Sequence, residues 1–121
     1  MSKRQASTHY ETISEKAFTA QVIALARWYK WRTAHFRPAM TKRGRWVTPV
    51  QGDGAGFPDL VLCHKGKGRL IFAELKTEKG KLSAKQNEWI DDLRRCEEKY
   101  SCVVACVWRP SDIEEIEELL K

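Results

Sequence analysis

Two short apolar runs, joined by a connection of lysines and glycines, constrain this chain most. Leu60-Val61-Leu62-Cys63 and Leu70-Ile71-Phe72-Ala73 flank the segment Lys65-Gly66-Lys67-Gly68. Continuous runs of this length, rich in branched and aromatic residues, are typical of buried strands, and glycines between them suit a tight turn. The sequence therefore predicts a β-hairpin.

Two acids, Asp59 and Glu74, lie just outside the apolar runs, and the hairpin register determines how they face each other. With a loop of two residues (Gly66-Lys67) or four (Lys65 to Gly68), the numbers of paired residues sum to 133, which places Asp59 opposite Glu74. Opposed side chains have Cβ atoms about 4.5–5.5 Å apart, so two carboxylates can share one cation. A three-residue loop would shift the register by one and put the acids on opposite faces. Lys76 follows Glu74 by two residues and projects from the same face.

Two acids and a lysine at one edge of a sheet have the chemistry of a metal-dependent hydrolase. Carboxylates this close repel one another, so one holds a proton or the pair recruits a cation. Mg²⁺ prefers oxygen ligands and keeps several waters, which suits two acids and a phosphate. Lys76 would orient the attacking water or stabilise developing charge. The alternative is a surface salt bridge, but these acids end apolar strands, where an isolated charge is costly.

The charge of the chain is unevenly distributed. Its 121 residues carry a net charge of +6; residues 1–50 hold 10 Lys and Arg against 2 Asp and Glu, and residues 51–121 hold 12 against 14. A basic half beside an acidic site suits a polyanionic substrate such as DNA, although a solubilising surface has the same charge. No stretch has the length and apolar character of a membrane span, and no signal-peptide pattern opens the chain, so we expect a cytoplasmic protein without a membrane contact.

Helical and strand patterns alternate along the rest of the chain. We expect a flexible basic N-terminal arm over residues 1–11 and a single domain over residues 12–121. The predicted elements are a helix from Thr12 or Ser14 to about Lys30, a strand over 31–36, an extra strand over 45–50, the hairpin, a helix from Ser83 to about Lys99, a strand over 101–108 and a last helix capped by Ser111. This order indicates an α/β domain with a mixed β-sheet and helices on its faces.

The motifs resemble those of a known nuclease family. Gly56-Phe57-Pro58-Asp59 and Glu74-Leu75-Lys76 follow a G-x-PD and ExK pattern, with Glu15 on the preceding helix and Gln86 on the following one. The combination resembles the VRR-NUC (virus-type replication-repair nuclease) group of the PD-(D/E)XK superfamily. The resemblance implies an αβββαβα restriction-endonuclease-like core with a central hairpin. It also implies an endonuclease that hydrolyses DNA phosphodiester bonds with Mg²⁺ or Mn²⁺ and no small-molecule cofactor.

The resemblance assigns roles to individual residues. Asp59, Glu74 and the backbone carbonyl of Leu75 would bind the metal, and Glu15 would reach it directly or through water. Gln86 would touch the nucleophilic water or the lysine of the ExK motif.

Two of these residues have a structural alternative. Glu15 can close a capping box with Thr12, and Gln86 can close one with Ser83.

Stand-alone members of this group resemble Holliday-junction resolvases, which act as homodimers and are common in phages. We therefore expect a homodimer that cuts branched DNA in a bacterial or phage-infected cell. The alternatives are a nuclease that nicks flaps or duplex DNA in phage replication or packaging, and a non-catalytic DNA-binding module with the same fold.

A long basic segment, residues 37–56, lies between the first strand and the hairpin. Its charges and one aromatic side chain suit phosphate contacts and stacking, although a solvated loop is an open alternative. A second basic turn follows the ExK motif. The predicted DNA-binding residues are Arg37, Lys42, Arg43, Arg45, Trp46, Lys79 and Lys81.

Cysteines and tryptophans provide no further site. The four cysteines lack the paired spacing of a zinc knuckle, and without a secretory signal they are expected to be reduced. Cys102 and Cys106 fall in an apolar stretch and are expected to be buried free thiols. The tryptophans other than Trp46 are expected in the core or an interface.

Overall fold

Residues 9–36, 39–47 and 50–121 are described in the structure, a computed structural model, and they form a mixed α/β fold. The elements are helix α1 (Glu15–Trp28), strands β1 (Arg32–His35), β2 (Ala39–Met40), β3 (Trp46–Val47), β4 (Leu60–His64) and β5 (Arg69–Leu75), helix α2 (Ala84–Lys99), strand β6 (Val103–Trp108), a 3₁₀ turn (Pro110–Asp112) and helix α3 (Ile113–Leu120). This order confirms the predicted fold class, a mixed sheet with a central hairpin and flanking helices.

The main sheet has four strands in the order β1-β4-β5-β6. The β1–β4 and β4–β5 pairs are antiparallel, whereas β5 and β6 are parallel and are connected through α2. The extra strand expected over residues 45–50 does not join this sheet. Its part at Trp46–Val47 pairs with Ala39–Met40 in a separate two-stranded sheet.

The register of the central hairpin agrees with the sequence prediction. Leu60 pairs with Ala73 and Val61 pairs with Phe72, so paired residue numbers sum to 133. The backbone N–H of Gly68 donates to the Lys65 carbonyl at 3.2 Å and closes the connection. The three-residue loop that would have separated the two acids is therefore excluded.

Helix α1 begins two residues later than the Thr12 alternative predicted. The Ser14 side chain is the N-cap and accepts a hydrogen bond from the Ala17 N–H at 3.1 Å. The Thr12 hydroxyl instead donates to the His9 carbonyl at 2.8 Å. The predicted capping box between Thr12 and Glu15 is therefore wrong, because Thr12 already belongs to the preceding turn. Residues 1–8 of the predicted N-terminal arm lie outside the described residues.

The helices cover both faces of the sheet. Helices α1 and α3 pack on the face that carries Leu60, Leu62 and Ile71, which are fully buried. The indole N–H of Trp31 donates to the Leu120 carbonyl at 2.8 Å and ties the end of α3 to the start of β1. On the other face, the Phe57 ring makes edge contacts with the rings of Phe36, Phe72 and, on α2, Trp89. The hairpin is thus held between two packed layers.

The last helix is not capped by Ser111 as predicted. Pro110 begins a 3₁₀ turn, and α3 starts only at Ile113, since the proline ring sets the backbone angle of the preceding turn. Asp112, the residue before the helix, uses its carboxylate to accept a hydrogen bond from the Arg109 N–H at 2.8 Å.

Side-chain exposure divides the tryptophans and corrects one expectation about the cysteines. Trp31 and Trp108 are buried in the core, whereas Trp28 is 76% exposed, which leaves it only the interface alternative. Cys102 is also exposed, because it precedes β6, whereas Cys106 lies within the strand and is half-buried. Burial, more than any nearby charge, raises the pKa of the Cys106 thiol to about 12.

Candidate active site

The carboxylates of Asp59 and Glu74 meet where β4 begins and β5 ends. One step beyond the Leu60–Ala73 pair, the register places Asp59 opposite Glu74. Oε2 of Glu74 accepts a hydrogen bond from the Asp59 N–H at 3.3 Å, and Oδ2 of Asp59 accepts one from the Leu75 N–H at 3.0 Å. Each carboxylate is therefore held by the backbone of the opposite strand.

The backbone carbonyl of Leu75 lies opposite a proline. The N–H of Leu75 points toward β4, and the register places Pro58 across from it. Proline has no N–H, so Pro58 gives the Leu75 carbonyl no ladder hydrogen bond. The proline of the Pro58-Asp59 pair thus leaves an acceptor beside the two acids, where the third metal ligand was predicted.

Glu74 is the most enclosed polar group at this site, at 1% exposure. Its Oε1 atom accepts a hydrogen bond from the Gln86 amide nitrogen at 2.8 Å. The Lys76 Nζ atom lies 3.8 Å from the same oxygen, and the lysine side chain is 15% exposed. A buried charge is costly unless it is paired and hydrogen-bonded, and the lysine and the amide reduce this cost for the Glu74 carboxylate without removing it.

Gln86 closes the capping box that the sequence offered as one alternative, and it also contacts Glu74, a partner that the sequence did not predict. Its Oε1 atom accepts from the Ser83 N–H at 2.8 Å, and the Ser83 hydroxyl accepts from the Gln86 N–H at 3.2 Å, which completes a capping box. Its Nε2 atom simultaneously donates to Glu74. The Gln86 side-chain amide therefore caps the start of α2 and also holds Glu74 of the ExK motif in position. The predicted contact of Gln86 with the nucleophilic water or with Lys76 stays a prediction.

Glu15 occupies the first position of α1 and faces the same cavity as the two hairpin acids. The pKa of its carboxyl is raised, first by burial and then by the charge of Asp59, while Lys76 acts in the opposite direction. The Glu15 carboxyl is thus influenced by the charge of Asp59, in the G-x-PD motif, and by the charge of Lys76, in the ExK motif. Because Ser14 rather than Thr12 caps the helix, this side chain is not engaged in the predicted capping box.

The acids at the hairpin end hold protons more tightly than isolated carboxyls do. The pKa of Glu74 is raised from 4.5 to about 8, first by burial and second by the negative charge of Asp59. The pKa of Asp59 is also raised, again mainly by burial, although the Leu75 N–H opposes this. A site that favours protons on two adjacent acids is one where a divalent cation would relieve the same repulsion.

A cavity of about 650 Å³ gathers the predicted catalytic side chains. It opens between the start of α1, the end of the hairpin and the start of α2. Its lining residues are Glu15, Lys16, Thr19, Ala20, Ile23, His35, Asp59, Glu74, Lys76 and Gln86. All five predicted catalytic residues are therefore brought together, along with an α1 surface that sequence reasoning did not identify.

Comparison with known proteins decides the family of this fold and site. The VRR-NUC domain model matches residues 11–107, which is most of the chain. The chain belongs to the VRR-NUC domain family. No curated protein and no solved structure gave a match. Membership implies a nuclease-type function in DNA processing, with DNA as the substrate.

Gly56 has a role in this VRR-NUC site that sequence reasoning missed. Its backbone has φ +82°, and a Cβ atom here would lie 2.4 Å from the Lys85 carbonyl carbon and 2.6 Å from the Gln86 nitrogen. Only glycine lets the loop before Asp59 approach the first turn of α2 this closely. The only sequence signal was the glycine of the G-x-PD pattern.

The predicted DNA-binding residues of the long basic segment are partly described. Lys42, Arg43 and Arg45 are exposed at the turn between β2 and β3, which the Thr41 N–H closes by donating to the Arg45 carbonyl at 2.7 Å. The turn therefore presents three cations to solvent. Arg37 and the side chain of Trp46 lie outside the described residues.

The second basic turn is held by an arginine that was not predicted to matter. The Arg109 guanidinium donates to the carbonyls of Thr77 and Gly80 at 2.7 and 2.6 Å. Lys79 and Lys81 on this turn are exposed, and Lys79 lies 3.4 Å from a Glu11 oxygen in a surface ion pair.

Two negative findings concern the described residues alone. Within residues 9–36, 39–47 and 50–121, no three His, Cys, Asp or Glu side chains are grouped as a metal-binding cluster. No helix in the same ranges is long and apolar enough to cross a membrane.

Proposed function

We propose that this chain is an endonuclease that hydrolyses DNA with Mg²⁺ or Mn²⁺. The observation that carries the proposal is the alignment of Asp59 and Glu74 in one cavity, with the Lys76 ammonium 3.8 Å from the Glu74 carboxylate. DNA as substrate follows from the family. The metal and the residue roles are inferred from the chemistry of the site.

The donor groups fit a hard divalent cation. They are the oxygens of Asp59 and Glu74 and the Leu75 carbonyl, and the Glu15 carboxylate lines the same cavity. Mg²⁺ usually takes one or two carboxylates and fills its remaining positions with water and substrate phosphate.

The protein groups divide the work of hydrolysis. A bound Mg²⁺ or Mn²⁺ would supply Lewis acidity toward the phosphate and lower the pKa of water. Lys76 donates toward the attacking water or toward the charge that develops on the phosphoryl oxygens. Gln86 keeps Glu74 in position through the 2.8 Å hydrogen bond. Burial of these groups excludes bulk water and strengthens their electrostatic effect.

The proposal is tested by incubating labelled four-way junction, flap and linear duplex with Mg²⁺, Mn²⁺ or EDTA. We expect cleavage with either metal, none in EDTA, and none by Asp59→Asn. Cleavage that persists in EDTA or in the variant would contradict the proposal. DNA binding without cleavage under every condition would instead favour a non-catalytic DNA-binding module.

We further propose that the chain acts on branched DNA as a homodimer. Cutting two symmetric strands requires two active sites related by a two-fold axis. The support is an apolar groove between α1 and α3, lined in part by Leu25, Ile113 and the highly exposed Trp28.

The charges around this groove favour a second copy as its occupant. Glu114 and Glu117 line it on α3, whereas the end of α1 exposes Arg27 and Lys30. In a two-fold contact, the basic end of one protomer meets the acidic helix of the other.

Sedimentation tests the dimer, and substrate comparison tests the branch preference. We expect wild type to sediment as a dimer and Trp28→Glu to sediment as a monomer. The monomer should still cut one strand of a DNA substrate but should no longer make paired cuts in the two strands of a junction. A wild type that is monomeric on four-way junctions would contradict the resolvase form. Equal cleavage of flaps or linear duplex would favour the replication or packaging alternative.

A further inference from the structure

The cavity that holds the acids has a second wall with no role in the hydrolysis described above. This wall is formed by the first two turns of α1 and the end of β1. It presents Lys16, Thr19 and His35 to the cavity, next to the apolar side chains of Ala20 and Ile23. Because this wall and the acids line one cavity, a DNA strand bound at the acids would lie next to the wall.

His35 reaches the cavity from the strand next to Asp59. It pairs with Leu60, and the following residue, Phe36, donates its N–H to the Asp59 carbonyl at 2.8 Å. The side chain of His35 is exposed. Its charge acts on the Asp59 carboxyl, whose pKa is raised mainly by burial and lowered slightly by this histidine. His35 therefore lies beside the acid of the PD pair, on the α1 side.

Lys16 and Thr19 extend this wall along the helix. They are three residues apart on α1 and so lie on one face of it. Lys16 is exposed and cationic, whereas Thr19 is 8% exposed and adds a hydroxyl. Ammonium, hydroxyl and imidazole groups can all donate hydrogen bonds to phosphate oxygens. The wall thus offers donors beside a site of carboxylates.

We propose that Lys16, Thr19 and His35 bind the DNA phosphate adjacent to the one that is cut. The inference rests on the proposed nuclease function, since it takes the scissile phosphate to lie at Asp59 and Glu74. A single strand entering the cavity places its neighbouring phosphate against a wall, and the α1 wall carries the donors. Such a contact positions the strand and carries no sequence information.

The test separates phosphate binding from hydrolysis by measuring binding in EDTA. Fluorescence anisotropy gives Kd for a labelled DNA strand over a series of salt concentrations with wild type, Lys16→Ala, Lys16→Arg and His35→Gln. We expect Kd to rise about three- to tenfold for Lys16→Ala and His35→Gln, and the salt slope of Lys16→Ala to fall by about 1. Lys16→Arg should stay close to wild type, because it keeps the charge.

Two matched controls identify the contact. Arg95→Ala removes one exposed cation from α2, outside the cavity and outside the α1–α3 groove, and should change Kd less. A neutral methylphosphonate at the phosphate next to the cleavage position should weaken wild type at least as much as Lys16→Ala does. The same methylphosphonate should weaken Lys16→Ala less than it weakens wild type, because one of the three donors to this phosphate is already lost.

The outcomes separate this inference from the proposed function. Equal Kd and salt slope for Lys16→Ala, His35→Gln and Arg95→Ala would overturn the phosphate contact, even if wild type cleaves DNA with Mg²⁺. Additive effects of the methylphosphonate and Lys16→Ala would overturn it as well. Lys16-dependent binding by a wild type that never cleaves would support the contact and contradict hydrolysis.

Discussion

The side-chain amide of Gln86 donates a 2.8 Å hydrogen bond to Oε1 of Glu74. It does so while its oxygen accepts the Ser83 N–H at the start of α2. The helix cap and the acid of the ExK motif are therefore stabilised by one side chain. Because the two functions use different atoms of the amide, substitutions can separate them.

Gln86→Glu and Ser83→Ala should have opposite effects on stability and activity. Gln86→Glu keeps an oxygen for the Ser83 N–H but replaces the donor to Glu74 with a second carboxylate, so we expect cleavage to fall about 10- to 100-fold. Ser83→Ala removes the cap and should cost about 1 kcal/mol of unfolding free energy with most activity kept. Thermal unfolding and single-turnover cleavage measure the two effects. Equal activity losses would mean that Gln86 acts only through the cap.

Removing either hairpin acid should abolish metal-dependent cleavage without unfolding the protein. We expect Asp59→Ala and Glu74→Ala to lose at least about a hundred- to a thousandfold in rate, because each supplies a proposed metal ligand. Glu88→Gln is a matched control, since this exposed acid lies in a surface ion pair with Lys85. Circular dichroism checks the fold, and wild-type rates in both alanine variants would contradict the site.

The stability of the metal-free protein should fall as the pH rises. The folded state raises the pKa of Glu74 from 4.5 to about 8, mainly by burial and next by Asp59, so it binds this proton more tightly than the unfolded chain does. Below about pH 4.5 the Glu74 carboxyl is protonated in both states and costs no stability. Between pH 4.5 and about 8 the unfolded chain loses this proton first, so the cost to the folded state grows over this range. We expect the Tm in EDTA to decrease over this window and Glu74→Gln to flatten the decrease. A Tm profile unchanged by Glu74→Gln would contradict this assignment.

Mg²⁺ should restore stability most strongly at high pH. A cation at Asp59 and Glu74 must displace the proton that Glu74 holds, so its affinity should rise with pH up to about 8 and then level off. The measurement is the Tm increase on adding Mg²⁺ at pH 6 and at pH 9. An equal increase at both pH values would show that Mg²⁺ binds elsewhere.

Gly56→Ala should damage the site more than a matched glycine substitution does. Gly56 and Gly68 both have positive φ, +82° and +59°, so alanine at either should cost about 1–2 kcal/mol from the backbone alone. A Cβ at Gly68 meets nothing within 4 Å, whereas one at Gly56 overlaps the first turn of α2. We expect Gly56→Ala to lose more stability and also cleavage activity, as Gln86 is displaced. Similar results for the two variants would refute the close-approach role.

Neutralising the β2–β3 turn should weaken DNA binding and flatten its salt dependence. Replacing the exposed Lys42, Arg43 and Arg45 removes three cations from one turn, so we expect the salt slope to fall by about one per lost phosphate contact. The control is loss of Arg94, Arg95 and Lys99, near the end of α2 remote from Gln86. An unchanged slope in the first variant would mean that the turn is only a solvated loop.

The hairpin and its acids could be predicted from sequence because they depend on local rules. The strand pattern, the turn between Lys65 and Gly68 and a period of two residues are enough to place Asp59 opposite Glu74. Cap positions were harder. Thr12 and Ser14 offered competing caps for α1, and the choice depended on which hydroxyl the preceding turn had already used.

Long-range contacts had no signal of this kind in the sequence. The β2–β3 pair forms its own sheet, Cys102 and Trp28 are exposed, and Arg109 holds the turn at Thr77 from about thirty residues away. Each of these depends on how elements distant in the chain pack together. A periodic pattern reports which face of an element is apolar, but not which neighbour covers it.

The sequence by itself determined the fold class, the hairpin register and the pairing of Asp59 with Glu74, because backbone geometry repeats every two residues along a strand. Only the tertiary structure showed that Gln86 both caps α2 and hydrogen-bonds to Glu74, and that Gly56 allows the first turn of α2 to approach the site closely. It also showed that α1 forms a second wall of the cavity. These features depend on three-dimensional distances between separate elements. Such distances are fixed by packing of the whole domain rather than by local spacing.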